Sequence, residues 1–297
     1  MSRVNFDLDV LRTFVTGMEL GSFARAAERL GRSTSAISAQ LKKLEEQAGT
    51  PVLRREGRGM VLTEAGETLL GYARRLLELN DEAAVALRDT HLAGTLRLGL
   101  QEDFADTVLP QVLGRFARAH PQARIDVRMG RQQGLLEGIQ RGELDLALTW
   151  EFGQPPGAHA RHLGDVQPCW IAGTEPLADG EPLALVMLDA PCLLRSTAIA
   201  ALDHAGIAWR MAFTCGGLAG IWAAVAAGLG VAVRTPIGLP AGLRRLPAGA
   251  AGLPELAPLR LSLQRAHAHP EPLVLRLEEV LCDCVGQLLD AVARAEQ

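Results

Sequence analysis

The sequence predicts an α/β protein in which a small helical segment precedes a long helix and a larger domain of alternating strands and helices. Three observations support this fold class. Apolar residues recur at helical spacing before residue 50, no proline occurs over residues 64–89, and β-prone and helical segments alternate from residue 94. A chain of 297 residues exceeds the usual length of one domain, so we expect several folding units.

The composition indicates a folded protein whose charge is unevenly distributed. Hydrophobic residues make up 48% of the chain, enough for packed cores, and the formal net charge is −4. Between Arg25 and Arg58, however, eight Lys or Arg residues outnumber four acidic residues. A basic patch on an acidic protein is typical of a DNA-binding module attached to a sensing domain, although a solvated charged face would look the same.

The N-terminal residues and the cysteines indicate the cellular compartment of the protein. Residues 1–7 lack the apolar core of a secretion signal, and no apolar run is long enough to cross a membrane. We therefore expect a soluble, cytoplasmic protein without a membrane partner. The cysteines are interpreted as small buried hydrophobes, with a redox pair such as Cys192 and Cys215 as the less favoured alternative. No Cys or His spacing matches a common metal site, so neither a metal nor a cofactor is predicted.

The first 50 residues show the spacing of a helix-turn-helix. The predicted helix caps are Asp7, Ser22 and Ser33. Gly31 follows Ala27 by four residues, and Ile37 follows Gly31 by six. A small residue lets two helices touch, a glycine suits the turn between them, and an isoleucine fills the space that remains.

The outer face of the third predicted helix carries short polar side chains near its start and cations further along. The predicted DNA contacts on this helix are Ser33, Thr34, Ser35, Ser38, Gln40 and Lys42. A recognition helix uses its first polar side chains on base edges and its cations on phosphates. An ordinary amphipathic helix is the alternative, and the spacing of this helix alone leaves both interpretations open.

A two-stranded wing is predicted after Pro51. Short β-prone runs flank a tip rich in Gly and Arg, and Thr63 is placed to cap the next helix. Arg55 and Arg58 at this tip could reach backbone phosphates or the minor groove. The prediction for residues 1–63 is therefore a winged helix-turn-helix that binds double-stranded DNA.

A long linker helix is predicted over residues 64–92. Within it, the spacing between successive members of one set of residues alternates between four and three positions. The set is Leu69, Ala73, Leu76, Asn80, Ala83 and Leu87. This is the a/d spacing of a helix that pairs with a copy of itself. Packing of these residues on their own domain is the alternative.

The remaining residues, 93–297, show the alternation of a parallel-sheet α/β domain. Strands are predicted at 96–100, 124–129, 144–150, 168–172, 209–214, 231–234 and 259–263. Helices are predicted at 104–119, 135–141, 198–204, 220–227 and 272–295. The stretch 236–258, rich in Pro and Gly, is predicted to be mostly loop.

The chain resembles the LysR-type transcriptional regulators along nearly its whole length. In the N-terminal part the matching residues are Phe14, Gly21, Ser22, Phe23, Ala26, Ala27, Ser33, Ser35, Ala36, Ile37, Ser38, Leu41, Leu44, Glu45, Pro51, Arg55, Arg58, Leu62, Thr63, Glu64, Ala65 and Gly66. In the C-terminal part, residues 142–148 are the strongest match and residues 227–232 a weaker one. Thr34, Ala39 and Leu53 depart from residues frequent in the family, so the operator sequence is expected to differ.

The resemblance implies a two-lobed effector domain akin to periplasmic solute-binding proteins. Lobe I would comprise residues of about 93–164 and 266–297, and lobe II about 165–265, with crossing strands near 163–167 and 260–267. A small-molecule effector would bind between the lobes. The resemblance further implies homodimers that pair into homotetramers, with RNA polymerase as a further partner.

Ligands of α/β lobes bind where strands end and helices begin. The predicted effector contacts at such positions are Gln101, Glu102, Asp103, Arg131, Gln132, Trp150, Arg195, Ser196, Thr214 and Gly216. Arg195 could fork onto a ligand carboxylate, whereas Glu102 and Asp103 oppose a purely anionic ligand. The effector is therefore expected to be a polar organic acid or a zwitterion, unless these residues serve only as caps or surface.

The sequence disfavours two other classes of protein. No Gly-x-Ser-x-Gly, His-Glu-x-x-His or phosphate loop occurs, so no catalytic residue is predicted and an enzyme is disfavoured. A solute-binding protein would carry a secretion signal and would have no use for a winged helix-turn-helix. The sequence thus favours a transcription regulator.

Overall fold

The structure, a computed structural model, describes residues 4–57, 59–88, 92–152, 159–174, 182–247, 249 and 252–295. The chain divides into two compact units, Met1–Thr90 and His91–Gln297. In the described part of the chain no helix combines the length and apolar character needed to cross a membrane.

The first unit opens with three helices, α1 Leu8–Glu19, α2 Phe23–Arg29 and α3 Thr34–Ala48. Each begins at its predicted cap, because the side chains of Asp7, Ser22 and Ser33 accept hydrogen bonds from backbone N–H groups of the following turn. Gly31, between α2 and α3, has φ of +61°, a backbone conformation that glycine adopts without strain. The predicted helix-turn-helix is confirmed.

The core of the first unit lies between the helices. Leu11 and Phe14 of α1 and Leu44 of α3 are fully buried. Ala27 of α2 and Ile37 of α3 are buried as well, as their spacing predicts. Burying a Leu or Phe side chain contributes roughly 1.5–3 kcal/mol. This packing leaves only the opposite side of α3 in contact with solvent.

A wing and a long helix complete the first unit. Strands β1 Leu53–Glu56 and β2 Gly59–Leu62 pair antiparallel, and helix α4 Glu64–Arg88 follows. Thr63 joins wing and helix, since its hydroxyl accepts from the Gly66 N–H at 3.0 Å and donates to the Pro51 carbonyl at 2.8 Å. A Cβ at Gly66 would lie 2.0 Å from the Val52 carbonyl oxygen, so only glycine permits this approach.

The seam predicted for α4 is wrong at its first two positions. Leu69 and Ala73 are buried in the core of the first unit together with Leu77, which is the alternative that the sequence left open. Asn80 is half-buried and donates to Asp81 at 3.0 Å. Of the other predicted seam positions, Leu76 and Ala83 are exposed, and the side chain of Leu87 lies outside the described residues. The exposed apolar stripe is formed by Tyr72, Leu76 and Leu79.

The second unit is the predicted α/β domain. Its strands are β3 Gly94–Leu100, β4 Ala123–Met129, β5 Leu146–Glu151, β6 Ala160–Val166, β7 Cys169–Ala172, β8 Leu183–Leu188, β9 Trp209–Cys215, β10 Ala232–Arg234, β11 Arg244–Arg245 and β12 Leu259–Arg265. Its helices are α5 Leu109–Ala119, α6 Gln132–Gln140, α7 Leu193–His204, α8 Leu218–Ala226 and α9 Pro272–Ala295.

These elements form two lobes. Lobe I holds a five-stranded sheet of order β4-β3-β5-β12-β6, in which β3 is parallel to β4 and β5, with α5, α6 and α9. Lobe II holds the parallel pair β8-β9 and the antiparallel set β10-β7-β11, with α7 and α8. The chain passes between the lobes at β6 and β12, which pair antiparallel close to the predicted crossings.

The predictions for the second unit missed strands β8 and β11 and misplaced the starts of α5 and α7 by five residues each. Strand β8 was not predicted, because its short apolar run LALVML does not distinguish strand from helix. Helix α5 begins at Leu109 rather than 104, after a 3₁₀ turn over Glu102–Phe104, because Pro110 is tolerated only in the first turn of a helix. Helix α7 begins at Leu193 rather than 198, and its N-cap Cys192 makes no side-chain capping bond.

Candidate DNA-binding surface and ligand cleft

The solvent side of α3 is a continuous polar stripe. Five exposed positions recur at the spacing of one helix face, namely Thr34, Ser35, Ser38, Ala39 and Lys42. Ile37 and Leu44 on the opposite face are buried. The predicted side chains are therefore displayed on one surface, apart from Gln40.

Local hydrogen bonds orient the hydroxyl groups of this stripe. The Ser33 hydroxyl accepts from the Ala36 N–H at 3.2 Å and lies 2.9 Å from the Ser35 hydroxyl. Ser38 donates to the Thr34 carbonyl at 3.0 Å. Because a hydroxyl has one donor and two acceptor positions, each of these serines keeps capacity for a further partner.

Gln40 is oriented differently from the other predicted DNA contacts. Its side chain is half-buried, and its Oε1 accepts from the hydroxyl of Thr13, a fully buried residue of α1, at 2.6 Å. This bond ties α3 to α1. Gln40 thus serves first to position α3.

Cations flank the stripe on the helix and on the wing. Lys42 is 82% exposed, and its Nζ is 3.9 Å from Glu46. On the wing, Arg54 pairs with Glu56 at 2.9 Å, whereas the neighbouring Arg55 is exposed opposite Met60. Arg58, also predicted as a phosphate contact, lies outside the described residues.

Ion pairs fix the other helices around α3. Lys43 Nζ contacts the Asp7 carboxylate at 2.6 Å, and this hydrogen bond, with one from the Asp9 N–H, lowers the pKa of Asp7 below its ordinary value. Arg12 binds Asp81 of α4 through two nitrogens, at 2.7 and 3.2 Å, which raises the pKa of Arg12. These ion pairs connect α3 to the start of α1, and α1 to α4, at the surface of the first unit.

A cavity of about 470 Å³ lies between the two lobes of the second unit. The predicted contacts that line it are Gln101, Glu102, Asp103, Arg131, Gln132, Trp150 and Ser196. These residues come together because strands β3 and β5 end, and helix α6 begins, at the same edge of the lobe I sheet. The start of α7 in lobe II lines the cavity with them.

Three predicted contacts do not line this cleft. The prediction for Arg195 is wrong, because α7 already begins at Leu193 and Arg195 therefore lies within its first turn. Its guanidinium donates to the Leu188 carbonyl at 3.2 Å. Thr214 is exposed near the end of β9 and does not reach the cavity. The Gly216 carbonyl accepts from Arg131 at 3.0 Å, outside the cavity lining.

The predicted contacts missed two charged lining residues, Glu137 of α6 and the buried Arg234. Arg234 ends β10, and its guanidinium forms a buried ion pair with Asp103; the two side chains are 7% and 1% exposed. The sequence did contain a signal for Arg234, since it directly follows the apolar run 231–233. An arginine at the end of a buried strand needs a charged partner.

Besides the Arg131–Gly216 bond, three polar contacts between described residues join the lobes around the cavity. Asp103 of lobe I pairs with Arg234 of lobe II. The Glu102 carboxylate accepts a hydrogen bond from the Leu218 N–H at the start of α8. Arg131, at the start of α6, binds Asp189 at 2.7 Å.

Aromatic and amide groups complete the cleft from lobe I. Trp150 packs against Phe104 with ring centroids 5.3 Å apart, and its backbone N–H donates to the Gln101 side chain at 2.6 Å. Trp150 and Gln101 therefore hold each other in place beside the cavity.

No disulfide joins any of the five cysteines, all of which lie within the described residues. Cys192 lines the cavity, and Cys215 donates to the Gly217 carbonyl at 3.0 Å. Burial raises the pKa of the Cys282 thiol, which favours its unreactive protonated form.

A winged helix-turn-helix with an exposed polar face, in one chain with a two-lobed α/β domain, is typical of a DNA-binding transcription regulator. Comparison with known proteins agrees with this class. Residues 8–67 match the family model described as "Bacterial regulatory helix-turn-helix protein, lysR family", and residues 89–281 match the "LysR substrate binding domain". The chain belongs to the LysR family of transcriptional regulators, and its relatives are regulators rather than enzymes.

Two curated relatives are similar over most of their length. The HTH-type transcriptional regulator PecT of Dickeya dadantii (strain 3937) is 37% identical over 271 residues, which cover 91% of this chain and 85% of PecT. The HTH-type transcriptional regulator DgdR of Burkholderia cepacia is 37% identical over 278 residues, 93% of each chain.

Solved structures support the fold. DarR of Vibrio fischeri, crystallised in complex with DNA, aligns with a TM-score of 0.54 at 15% identity, covering 94% of this chain and 99% of DarR. Full-length BenM aligns with a TM-score of 0.51 at 20% identity, covering 94% and 96%. At these identities the likeness concerns the fold alone.

Proposed function

We propose that this LysR-type regulator reads double-stranded DNA with the exposed face of α3 and the wing, and that a small molecule bound between its lobes modulates DNA binding or promoter activation. The proposed domains are the DNA-binding domain 1–63, the linker helix 64–92 and the effector domain 93–297. With chromosomal DNA as the partner, the protein would act in the cytoplasm.

The observation that carries the DNA-binding part is the polar stripe on α3. Its residues are exposed although the other side of the helix is packed, and they include hydroxyl groups for base edges and Lys42 for a phosphate. The proposed DNA contacts are Ser33, Thr34, Ser35, Ser38, Lys42, Arg55 and Arg58, with Gln40 as a positioning residue.

The cleft supports the proposed effector. A volume of about 470 Å³ falls in the range of about 300–1,000 Å³ that small-molecule sites occupy. Its lining combines an indole, several amides and charged groups, which suits a small polar molecule. We propose Gln101, Glu102, Asp103, Arg131, Gln132, Trp150, Ser196 and Arg234 as effector contacts.

The exposed stripe on α4 supports a homodimer. Tyr72, Leu76 and Leu79 are apolar or aromatic, exposed, and spaced by four and three residues, which suits pairing with a second copy of α4. A dimer would present two recognition helices to two half-sites about one DNA turn apart. Dimers would pair into a tetramer, and RNA polymerase would be a further partner at the promoter.

DNA binding tests the proposal directly. We expect the full-length protein to retain a duplex from its own upstream region at low ionic strength. Arg55→Ala should weaken binding to all sequences alike and reduce the salt slope by about 1, because it removes a phosphate contact. Ser35→Ala should instead change the sequence preference.

Arg210→Ala is the matched control, since Arg210 is exposed in β9 of the second unit. It should leave both affinity and salt slope unchanged. Failure of the wild-type protein to retain any duplex fragment would contradict the proposed function.

A further inference from the structure

We propose that the cleft selects a small zwitterion, with an ammonium group and a carboxylate on one skeleton, in preference to an organic acid. The inference rests on the proposed role of the cleft in effector binding. It depends on the charges lining the cavity, on three helix starts around it, and on polar atoms that lack a partner.

Acidic groups outnumber cations in the cavity lining. Glu102, Asp103 and Glu137 line it, against Arg131 and Arg234. Both cations are already paired, Arg234 with Asp103 and Arg131 with Asp189. An organic acid would therefore meet a negative lining without a cation of its own, whereas an ammonium group would be attracted.

The start of α8 is already occupied by a carboxylate of this chain. A helix N-terminus is a ready site for a carboxylate because its first N–H groups have no partner within the helix. Here the Glu102 carboxylate accepts from the Leu218 N–H. A ligand carboxylate would have to displace Glu102 to bind at that position.

Two other helix starts at the cavity remain without a capping side chain. The N-caps Arg131 of α6 and Cys192 of α7 make no side-chain capping bond, and both helices contribute their first residues to the lining. Their N–H groups can donate hydrogen bonds to a ligand carboxylate without displacing a side chain. The cavity thus offers a site for each end of a zwitterion.

Polar atoms of three lining residues lack partners among the described residues. Trp150 and Arg234 each leave one N–H donor unpaired, at Nε1 and Nε, and Asp103 leaves the acceptor Oδ1. Buried polar groups in proteins normally find partners, so these atoms are available to pair with a bound molecule. An ammonium group fits Asp103, and a ligand oxygen fits either donor.

The proposed ligand would bind between the two residues of the buried ion pair. Asp103 belongs to lobe I and Arg234 to lobe II, so a molecule that binds between the lobes meets both partners of the buried pair. We assign the ammonium group to Asp103, assisted by Glu102, and the carboxylate to the starts of α6 and α7.

Matched probes test this assignment by titration calorimetry on the full-length protein. Each amino acid is compared with the hydroxy acid and the amine of the same skeleton: alanine, lactate and ethylamine; leucine, 2-hydroxy-4-methylpentanoate and isoamylamine; phenylalanine, phenyllactate and phenethylamine. We expect at least one amino acid to bind at least tenfold more tightly than both of its analogues. A hydroxy acid that binds as well as its amino acid would overturn the proposal, as would the absence of binding by every amino acid.

Asp103→Asn tests the ammonium contact while keeping the side-chain shape. The amino acid should lose at least tenfold in affinity and the hydroxy acid should not, so the ratio of the two affinities falls. A purely structural role would weaken both probes equally and leave the ratio unchanged, which would contradict the assignment.

Glu102→Gln provides a second variant in case Asp103→Asn fails to fold, as judged by circular dichroism. It should lower the same ratio, since it removes a negative charge from the lining. DNA binding by the same preparations separates the two proposals: retained DNA binding without amino acid preference overturns only the zwitterion assignment, whereas loss of DNA binding by wild type overturns the proposed function.

Discussion

Single side chains position the recognition helix by contacts that the sequence reveals only in part. Asp7 was predicted as the cap of α1, and it accepts from the Asp9 N–H at 2.9 Å. It also binds Lys43 of α3, 36 residues away, which no local pattern indicates. The two contacts make one carboxylate responsible for both the start of α1 and its position against α3.

The lowered pKa of Asp7 leads to a prediction about pH. Its carboxylate stabilises the fold fully above the unfolded pKa of about 3.9, and this contribution is lost as the pH falls through the lower folded value. In Lys43→Met the pKa of Asp7 should rise toward its ordinary value, because the largest cause of the shift is removed. An NMR titration of the Asp7 carboxyl carbon measures this change.

Lys42→Met is the control for this titration, because Lys42 contacts Glu46 rather than Asp7. It should leave the Asp7 midpoint unchanged. Equal midpoints in wild type and Lys43→Met would show that the ion pair is absent in solution.

Gln40 shows why a residue on a predicted surface can face inward. Helical spacing places it near the polar stripe, and its type suits a base contact. The buried hydroxyl of Thr13 on α1 needs a partner, and the Gln40 amide oxygen provides one at 2.6 Å. That pairing depends on two helices coming together, so it is invisible in either segment alone.

At the scale of elements, α4 uses two faces for two purposes. The periodicity of its apolar residues is clear in the sequence, but the buried face at Leu69, Ala73 and Leu77 lies directly beside the exposed stripe around the helix. Only the packing of α1 and the wing decides which residues are covered. The predicted seam therefore mixed residues of both faces.

The exposed apolar stripe of α4 leads to a prediction about dimer formation. Leu79→Asp should convert the proposed dimer to a monomer, because it places a charge in a helix pair that otherwise buries an apolar side chain. Leu79 is 55% exposed in the single chain, so the monomer itself should remain folded. Analytical ultracentrifugation measures the change in mass.

Gly71→Asp serves as the matched control for Leu79→Asp. It adds the same charge to α4, but Gly71 lies about 100° around the helix from Tyr72 and so outside the exposed stripe. A Cβ added at Gly71 meets nothing within 4 Å. This variant should remain dimeric. If Leu79→Asp sediments like wild type, the stripe is not the dimer contact.

The start of α7 illustrates a limit of sequence patterns. Helix boundaries are easiest to predict where Ser, Thr, Asp or Asn caps the first turn. Cys192 provides no such bond, so α7 was predicted five residues too late and Arg195 was assigned to the cleft. By contrast α1, α2 and α3, with polar caps, begin where predicted.

Across the whole effector domain, the contacts that join the lobes differ in strength. Asp103 and Arg234 are almost fully buried, whereas Arg131 and Asp189 are 27% and 59% exposed. Breaking a buried pair leaves an uncompensated charge in a medium of low dielectric, whereas an exposed pair is screened by water.

This difference predicts unequal effects of two matched substitutions. Arg234→Met should lower the free energy of unfolding by about 3–5 kcal/mol, because Asp103 is left buried without a partner. Arg131→Met should lower it by no more than about 1 kcal/mol. Urea denaturation followed by tryptophan fluorescence measures both, and equal effects would contradict this account.

The sequence by itself determined the helix-turn-helix, the wing, the long helix and the alternation of the α/β domain, because caps, glycines and apolar periodicity act between residues close in the chain. It also indicated most of the cleft, since strand ends of a parallel sheet meet at one edge. Only the tertiary structure decided that Arg234 meets Asp103, 131 residues away, and that Glu102 binds the start of α8. Such pairings depend on the packing of distant elements, which no local pattern encodes.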